Sequence, residues 1–136
     1  MSEEGRATQN VLKMNQTVKS YKDLVVWQKS IALVMRAYEL TRSFPTDEAF
    51  GVVSQMGRAA VSVPSNLAEG HVRKTTGEFI QFISHTEGSL AELETQLILA
   101  EEIDFCSSIE AQPIQNLIEE VQKMANALRR SLASCP

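Results

Sequence analysis

Residues 47–70 read DEAFGVVSQMGRAAVSVPSNLAEG, and the fold turns on what kind of helix this stretch makes. Between Ala49 and Ala68 the only charged side chain is Arg58. A run this long and this apolar raises the question of a membrane span, for which about twenty residues suffice. Ser54, Gln55, Ser62, Pro64, Ser65, Asn66 and two glycines count against that reading. A helix apolar nearly all round is then one that protein buries on more than one side. Gly57, Ala59 and Ala60 let a neighbouring backbone approach closely, and Pro64 removes one helical hydrogen bond, which predicts a bend. Thr46 is placed as the N-cap, with Asp47 and Glu48 in the first turn where the helix dipole favours negative charge. Gly70 is placed as a left-handed C-terminal residue.

Three further amphipathic segments flank this one. The first helix is expected over about 22–42, with Ser20 and Asp23 as a capping box and Phe44-Pro45 as its stop. Its core face is read as Leu24, Trp27, Ile31, Val34, Met35 and Tyr38. The second helix occupies about 47–69. The third, about 76–103, opens on a Thr75–Glu78 capping box and turns Phe79, Phe82, Ile83, Thr86, Leu90, Leu93, Leu97 and Ala100 inward. The fourth, about 108–132, is capped by Ser107 or Ser108. Its seam is Ile114, Leu117, Ile118, Val121, Met124, Ala125, Leu128 and Leu132, and Pro113 makes its first turn irregular. Four helices on short connections, with no strand alternation longer than a few residues, predict an all-α, antiparallel up-down-up-down four-helix bundle over 20–133. Residues 1–19 lack periodicity and read as a flexible arm.

A chain of 136 residues fits one domain with a core that needs no metal or disulfide. Hydrophobic residues make up 43% and charged ones 22%, the composition of a folded chain and not of a disordered one. The net charge of -4 weighs against a broad phosphate-binding surface. Cys106 and Cys135 match no metal-ligand spacing, and the polar N-terminus has no secretory apolar core, so a reducing cytoplasm is expected.

The polar residues of the second helix fall in one stripe. Gln55, Arg58, Ser62, Asn66 and Glu69 are three, four, four and three apart, a narrow band at roughly 100° per residue. The third helix carries Glu78, Gln81, His85, Ser89 and Glu92. Folded antiparallel, the two rows oppose each other, and a buried or half-buried hydrogen-bonded ladder between the helices is expected, with Arg58 reaching Ser89 or Glu92. Buried polar atoms left unpaired cost about 1–3 kcal/mol each. Such a ladder fixes the register of a bundle or a subunit contact; the alternative is a ligand or catalytic cleft, though no activated nucleophile falls within reach of it.

Opposite its expected core face, the first helix carries a second apolar line, Val26, Leu33, Ala37 and Leu40. Beside a second helix already apolar all round, this line predicts an oligomer interface. The alternative cover is the N-terminal arm through Val11, Leu12 and Met14. Chemistry is not expected. A di-iron bundle needs Glu-x-x-His on two helices, and the residues three before His71 and His85 are Ala68 and Phe82. No glycine-rich phosphate loop or zinc spacing occurs, so catalytic, cofactor-binding and metal residues are all expected to be none. Cys106 near a helix start is either an activated thiol or a packed, inert one. The His71–Lys74 loop and the last helix supply the candidate nucleic-acid contacts Arg73, Lys74, Arg129 and Arg130.

Tyr21-Lys22-Asp23-Leu24-Val25-Val26-Trp27-Gln28-Lys29, then Phe44-Pro45, Glu48 and Phe50-Gly51, resemble the opening of the four-helix-bundle proteins encoded in 23S ribosomal RNA intervening sequences. The resemblance continues through Gln55, Arg58-Ala59-Ala60-Val61-Ser62-Val63-Pro64 and Asn66-Leu67-Ala68-Glu69-Gly70, then Glu78-Phe79, Phe82 and Gly88-Ser89-Leu90-Ala91-Glu92-Leu93. What it implies is a bacterial four-helix bundle forming a ring-like homopentamer, without established enzymatic activity, cofactor or small-molecule substrate, and associated with ribosomal RNA or its operon. A related group, the accessory proteins of diversity-generating retroelements, binds nucleic acid through a basic surface, from which this acidic chain departs. The functional expectation is therefore a non-enzymatic, cytoplasmic, homo-oligomeric scaffold, with itself and RNA or ribosomal components as partners and no membrane. The alternative is a nucleic-acid-binding accessory factor acting through the local basic patch.

Overall fold

The computed structural model describes residues 18–48 and 51–134. Most of the arm expected over 1–19 lies outside the described residues, as do Phe50 and Cys135. All regular structure among the described residues is helical: a 3-10 turn Tyr21–Asp23, α1 Val25–Thr41, a 3-10 turn Thr46–Glu48, α2 Val52–His71, α3 Thr76–Glu102 and α4 Ser108–Ser134. Each helix packs on its two neighbours in the order α1, α2, α3, α4 and back to α1, with the α2–α3 seam the most extensive. The chain is an antiparallel four-helix bundle.

Local chemistry explains most of the boundaries. Ser20 and Asp23 form the reciprocal capping box, but it opens the 3-10 turn, and α1 begins two residues later at Val25. Thr46, Asp47 and Glu48 form a 3-10 turn of their own, so α2 starts at Val52 behind Gly51 and not at Thr46. The Thr75 hydroxyl accepts from the Glu78 amide at 3.2 Å at the head of α3. Ser107 and Glu110 cap α4 reciprocally, the hydroxyl accepting from the Glu110 amide at 3.1 Å and the carboxylate from the Ser107 amide at 2.9 Å. Both internal prolines are carried without ending their helices, Pro64 in α2 and Pro113 in α4.

Helix α3 ends in a Schellman motif. The Phe105 amide donates to the Ala100 carbonyl at 2.9 Å and the Asp104 amide to Glu101 at 3.1 Å. Asp104 takes the left-handed position with φ 62°, and Phe105 then packs on Phe44 with ring centroids 5.5 Å apart. Gly70 has no such role. It is helical, and its missing side chain serves a close approach: a Cβ there would stand 2.6 Å from Phe82 Cβ and 3.0 Å from Phe79 Cδ1.

The core seams of α3 and α4 follow their heptad spacing. Ile83, Thr86, Leu90, Leu93, Leu97 and Ala100 are buried from α3, and Ile114, Ile118, Val121, Ala125 and Leu128 from α4. Phe79, Phe82, Leu117, Met124 and Leu132 are half-buried. The fully buried hydroxyls of Ser30 and Thr86 satisfy themselves within their own helices, Ser30 donating to Trp27 O at 2.6 Å and Thr86 to Phe82 O at 3.1 Å.

Helix α1 is rotated from the expected setting. Its buried row is Val26, Ser30, Leu33, Ala37 and Leu40, while Ile31, Met35 and Tyr38 are exposed. Two heptad rows compete on this helix, and Ser30 breaks the apolar character of the true one. The row that is buried joins one core with Met56, Ala59, Ala60, Val63 and Leu67 of α2. The bulky amphipathic residues sit at the edge instead, Trp27 against Tyr21 at 5.5 Å and the Tyr38 phenol over Gly57. The four residues expected at an oligomer interface, Val26, Leu33, Ala37 and Leu40, are therefore core residues.

Candidate interaction surfaces

The polar rows of α2 and α3 do not form a ladder. Ser62 donates to Ala59 O at 2.7 Å and Asn66 Nδ2 to Ser62 O at 2.7 Å, both within α2. Glu69 Oε1 accepts from Arg73 Nη2 at 2.8 Å. Gln55, Arg58, Glu78, Gln81, His85 and Glu92 are exposed, with Ser89 half-buried. Arg58, the one cation of the expected ladder, has no hydrogen bond or ion pair through its side chain among the described residues. The reason lies at Gly70. With Phe82 and Phe79 pressed against that glycine, the aromatic side of α3 faces α2, and the Glu78–Gln81–His85 row is turned outward. The cleft reading fares no better: where the rows approach each other, at Glu69 and Glu78, they rim an open, shallow depression.

The four candidate phosphate contacts are not brought together as one cationic cluster. The Arg73 guanidinium is held by Glu69 and lies 4.9 Å from the Phe82 ring centroid. Lys74 is exposed beside it, on the rim of a shallow depression lined also by Glu69, Val72, Arg73 and Glu78. Arg129 Nε donates to Glu87 Oε1 at 2.6 Å across the α3–α4 seam, well inside α3 and so about 16 Å from the loop. Arg130 follows it in α4, exposed.

Cys106 is a packed thiol. Burial pushes its pKa up, and the nearby carboxylates of Glu110 and Glu101 push it the same way, so the capping position yields no activated nucleophile. Among the described residues no group of His, Cys, Asp or Glu is arranged to hold a metal ion, and no helix is long and apolar enough to cross a membrane.

Two surfaces stand out instead. On α1 and α2, Ile31, Met35, Tyr38 and Val61 are 38%, 57%, 48% and 40% exposed. They are contiguous: Ile31, Met35 and Tyr38 are neighbours on one helix face, Tyr38 covers Gly57, and Val61 is one turn beyond Gly57. At the α3–α4 turn, Ile98, Leu99, Ile103 and Ile109 are all about half exposed or more. Here the sequence holds a signal that hydrophobic periodicity does not reveal. From Thr75 to Gln122 there is no lysine or arginine, against ten acidic residues, so α3 and the first half of α4 form an acidic layer.

A protein of unknown function from the S23 ribosomal protein family of Bacteroides thetaiotaomicron VPI-5482 has a similar crystal structure, with a TM-score of 0.70 and 19% sequence identity. The likeness covers 77% of this chain and 98% of that one, and at this identity it speaks for the fold alone. No functionally curated protein matches. The match that reaches the sequence runs over residues 22–127, from the 3-10 turn before α1 through most of α4. Over that span the chain is a member of the 23S rRNA-intervening sequence protein family.

Proposed function

We propose that this chain is a non-enzymatic cytoplasmic protein whose work begins with assembly into a homo-oligomer. The observation that carries this reading is the exposed apolar face made by Ile31, Met35, Tyr38 and Val61. Scattered exposed apolar residues are ordinary, but a continuous run across two helices is the mark of a surface meant to be covered. The oligomer contact therefore belongs not to the buried line on α1 but to the line beside it. Five subunits is the number that the family resemblance implies.

Sedimentation velocity at micromolar concentration tests the reading directly. Assembled wild-type protein is expected, with the sedimenting mass giving the subunit number, and Met35→Asp with Val61→Asp is expected to leave folded single subunits. A monomeric wild type overturns it.

Association with ribosomal RNA is the part of the proposal supported by the family alone. The charge distribution favours one end of the bundle for such a contact, since a phosphate backbone laid along the acidic layer of α3 would be repelled. Lys22, Arg73, Lys74 and Arg130 are exposed cations on the half of the bundle nearest the α2–α3 turn, Arg73 being paired with Glu69. A mobility shift of ribosomal RNA that weakens with salt, and is lost in Lys74→Glu with Arg130→Glu, supports RNA binding. No shift at low salt leaves the scaffold reading alone.

A further inference from the structure

The connection between α3 and α4 sends its apolar residues two ways. Phe105 turns inward onto Phe44 and Cys106 is buried, while Ile103 and Ile109 on either side of them turn outward. Ile109 is 84% exposed, Ile103 about half, and Leu99, one turn before Ile103 on α3, about half as well. The fold of one subunit has no use for them there. Ile109 stands in the first turn of α4, where isoleucine is no better a helix former than serine. The platform beneath is fixed on both sides, by the Schellman motif that ends α3 and by the Ser107–Glu110 caps that open α4, so little ordering is needed to present it. Its surroundings are acidic. Over 42–48 and 101–110, the two connections that meet at this end of the bundle, six carboxylates stand against one cation, Arg42. Glu102 and Asp104, on either side of Ile103, are exposed and have no hydrogen-bonding or ionic side-chain partner among the described residues.

We propose that this end of the bundle is a docking surface for a cationic amphipathic helix of a second protein. The apolar row of that helix covers Leu99, Ile103 and Ile109, and the lysines or arginines beside the row meet Glu102 and Asp104. Charge selects the occupant. A nucleic-acid backbone or an anionic lipid surface would be repelled by the carboxylates. The same end of another copy would oppose carboxylates to carboxylates, and like charges brought together at a contact are strongly unfavourable. The surface is built from a different pair of helices than the α1–α2 face on which the self-assembly reading rests, so it serves a single subunit and an assembly alike.

The probe is a labelled peptide of leucine and lysine alone, about eighteen residues or five helical turns long, with its leucines along one face. Fluorescence anisotropy follows its binding to the full chain. Wild type should bind it, more weakly as salt rises, and should bind a scrambled peptide of the same composition at least about tenfold less tightly. Ile103→Ser with Ile109→Ser should weaken binding at least about tenfold, and Glu102→Lys with Asp104→Asn about tenfold; asparagine is used at 104 because it tolerates φ 62°. Glu78→Lys with Glu92→Lys, exposed carboxylates elsewhere on α3, should leave the affinity within about threefold. Circular dichroism confirms that each variant keeps its helices, and Ile109→Ser alone replaces the isoleucine pair if that pair unfolds the chain. Wild type that ignores the peptide overturns the proposal. So does a loss with Glu78→Lys and Glu92→Lys equal to that with the end variants, or unchanged binding when the isoleucines are replaced. A photo-crosslinking p-benzoylphenylalanine in place of Ile109 should capture the peptide. Capture instead of another copy, or of residues 1–17 of the same chain, names a different occupant and also overturns it.

Discussion

Replacing Gly70 by alanine separates two effects that usually travel together. Gly70 lies within α2 in helical conformation, so alanine should favour the helix by about 1 kcal/mol on propensity alone. Steric crowding at the α2–α3 seam opposes that gain and outweighs it. The new methyl would lie 2.6 Å from Phe82 Cβ and 3.0 Å from Phe79 Cδ1, whereas carbon atoms pack at roughly 3.5–4.0 Å. The nearest atom is a Cβ, fixed by the α3 backbone, so no rotamer change clears it and the two helices must part by about 1 Å. Overpacking costs about 1–3 kcal/mol, and a clash that only backbone movement relieves belongs at the top of that range. The expected net loss is about 2 kcal/mol, or about 5–8 °C in Tm for a chain of this size. Gly88, in the middle of α3, supplies the control, because a Cβ there meets nothing within 4 Å. Gly88→Ala should gain close to the whole propensity difference, about 1 kcal/mol. Urea unfolding followed by far-UV circular dichroism, at one fixed protomer concentration so that assembly does not shift the midpoint, measures both. Gly70→Ala as stable as wild type, or more so, would refute the close approach of α2 and α3 at this residue.

The rotation of α1 is tested by Leu33→Ala, which should cost about 2–5 kcal/mol in chemical denaturation, against Met35→Ala, which should leave the stability of the single subunit within about 0.5 kcal/mol. Asp104→Gly should stabilise modestly, by about 0.5–1 kcal/mol, because φ 62° suits glycine better than any side chain, and Asp104→Val should destabilise; thermal unfolding distinguishes them. In a Cys135→Ser background, Cys106 should react slowly with a thiol reagent at neutral pH and faster only under alkaline conditions, and fast neutral labelling would contradict the packed environment. With the folded thiol's pKa raised, its contribution to stability is whole below the unfolded value of about 8.5 and is lost as pH climbs through the folded one, so Cys106→Ser should flatten stability above that pH.

How much of this fold can be read from the chain differs from helix to helix, and the reason is physical. In α3 and α4 the inward rows are continuous bulky aliphatics, so one row outweighs every other and the face is unambiguous. In α1 two rows of similar hydropathy run side by side, and the buried one contains Ser30. Counting apolar residues favours Trp27 and Tyr38; the choice between the rows is made by packing against the other helices, which α1 alone does not encode. Thr46-Asp47-Glu48 has the chemistry of a helix opening and makes only a 3-10 turn, which displaces the start of α2 to Val52. Gly70 resembles a helix stop because glycine so often is one. The absence of the ladder comes from that same residue. Spacing shows that two polar rows share a height in an antiparallel pair, but not how far each helix is turned about its axis, and the Gly70–Phe82 contact sets that turn.

Charge order is legible by counting alone. A run of forty-eight residues, Thr75 to Gln122, with ten carboxylates and no lysine or arginine carries far more negative charge than the net value of -4 suggests. The net figure hides it because the remaining residues are cationic on balance. Stability of the single bundle gives no reason for this arrangement, since mixing the signs along α3 would add favourable pairs at the spacing of three or four residues and cost nothing in the core. A layer of one sign along α3 and the first half of α4 makes sense when that surface is to be distinguished from outside, by a partner that accepts it.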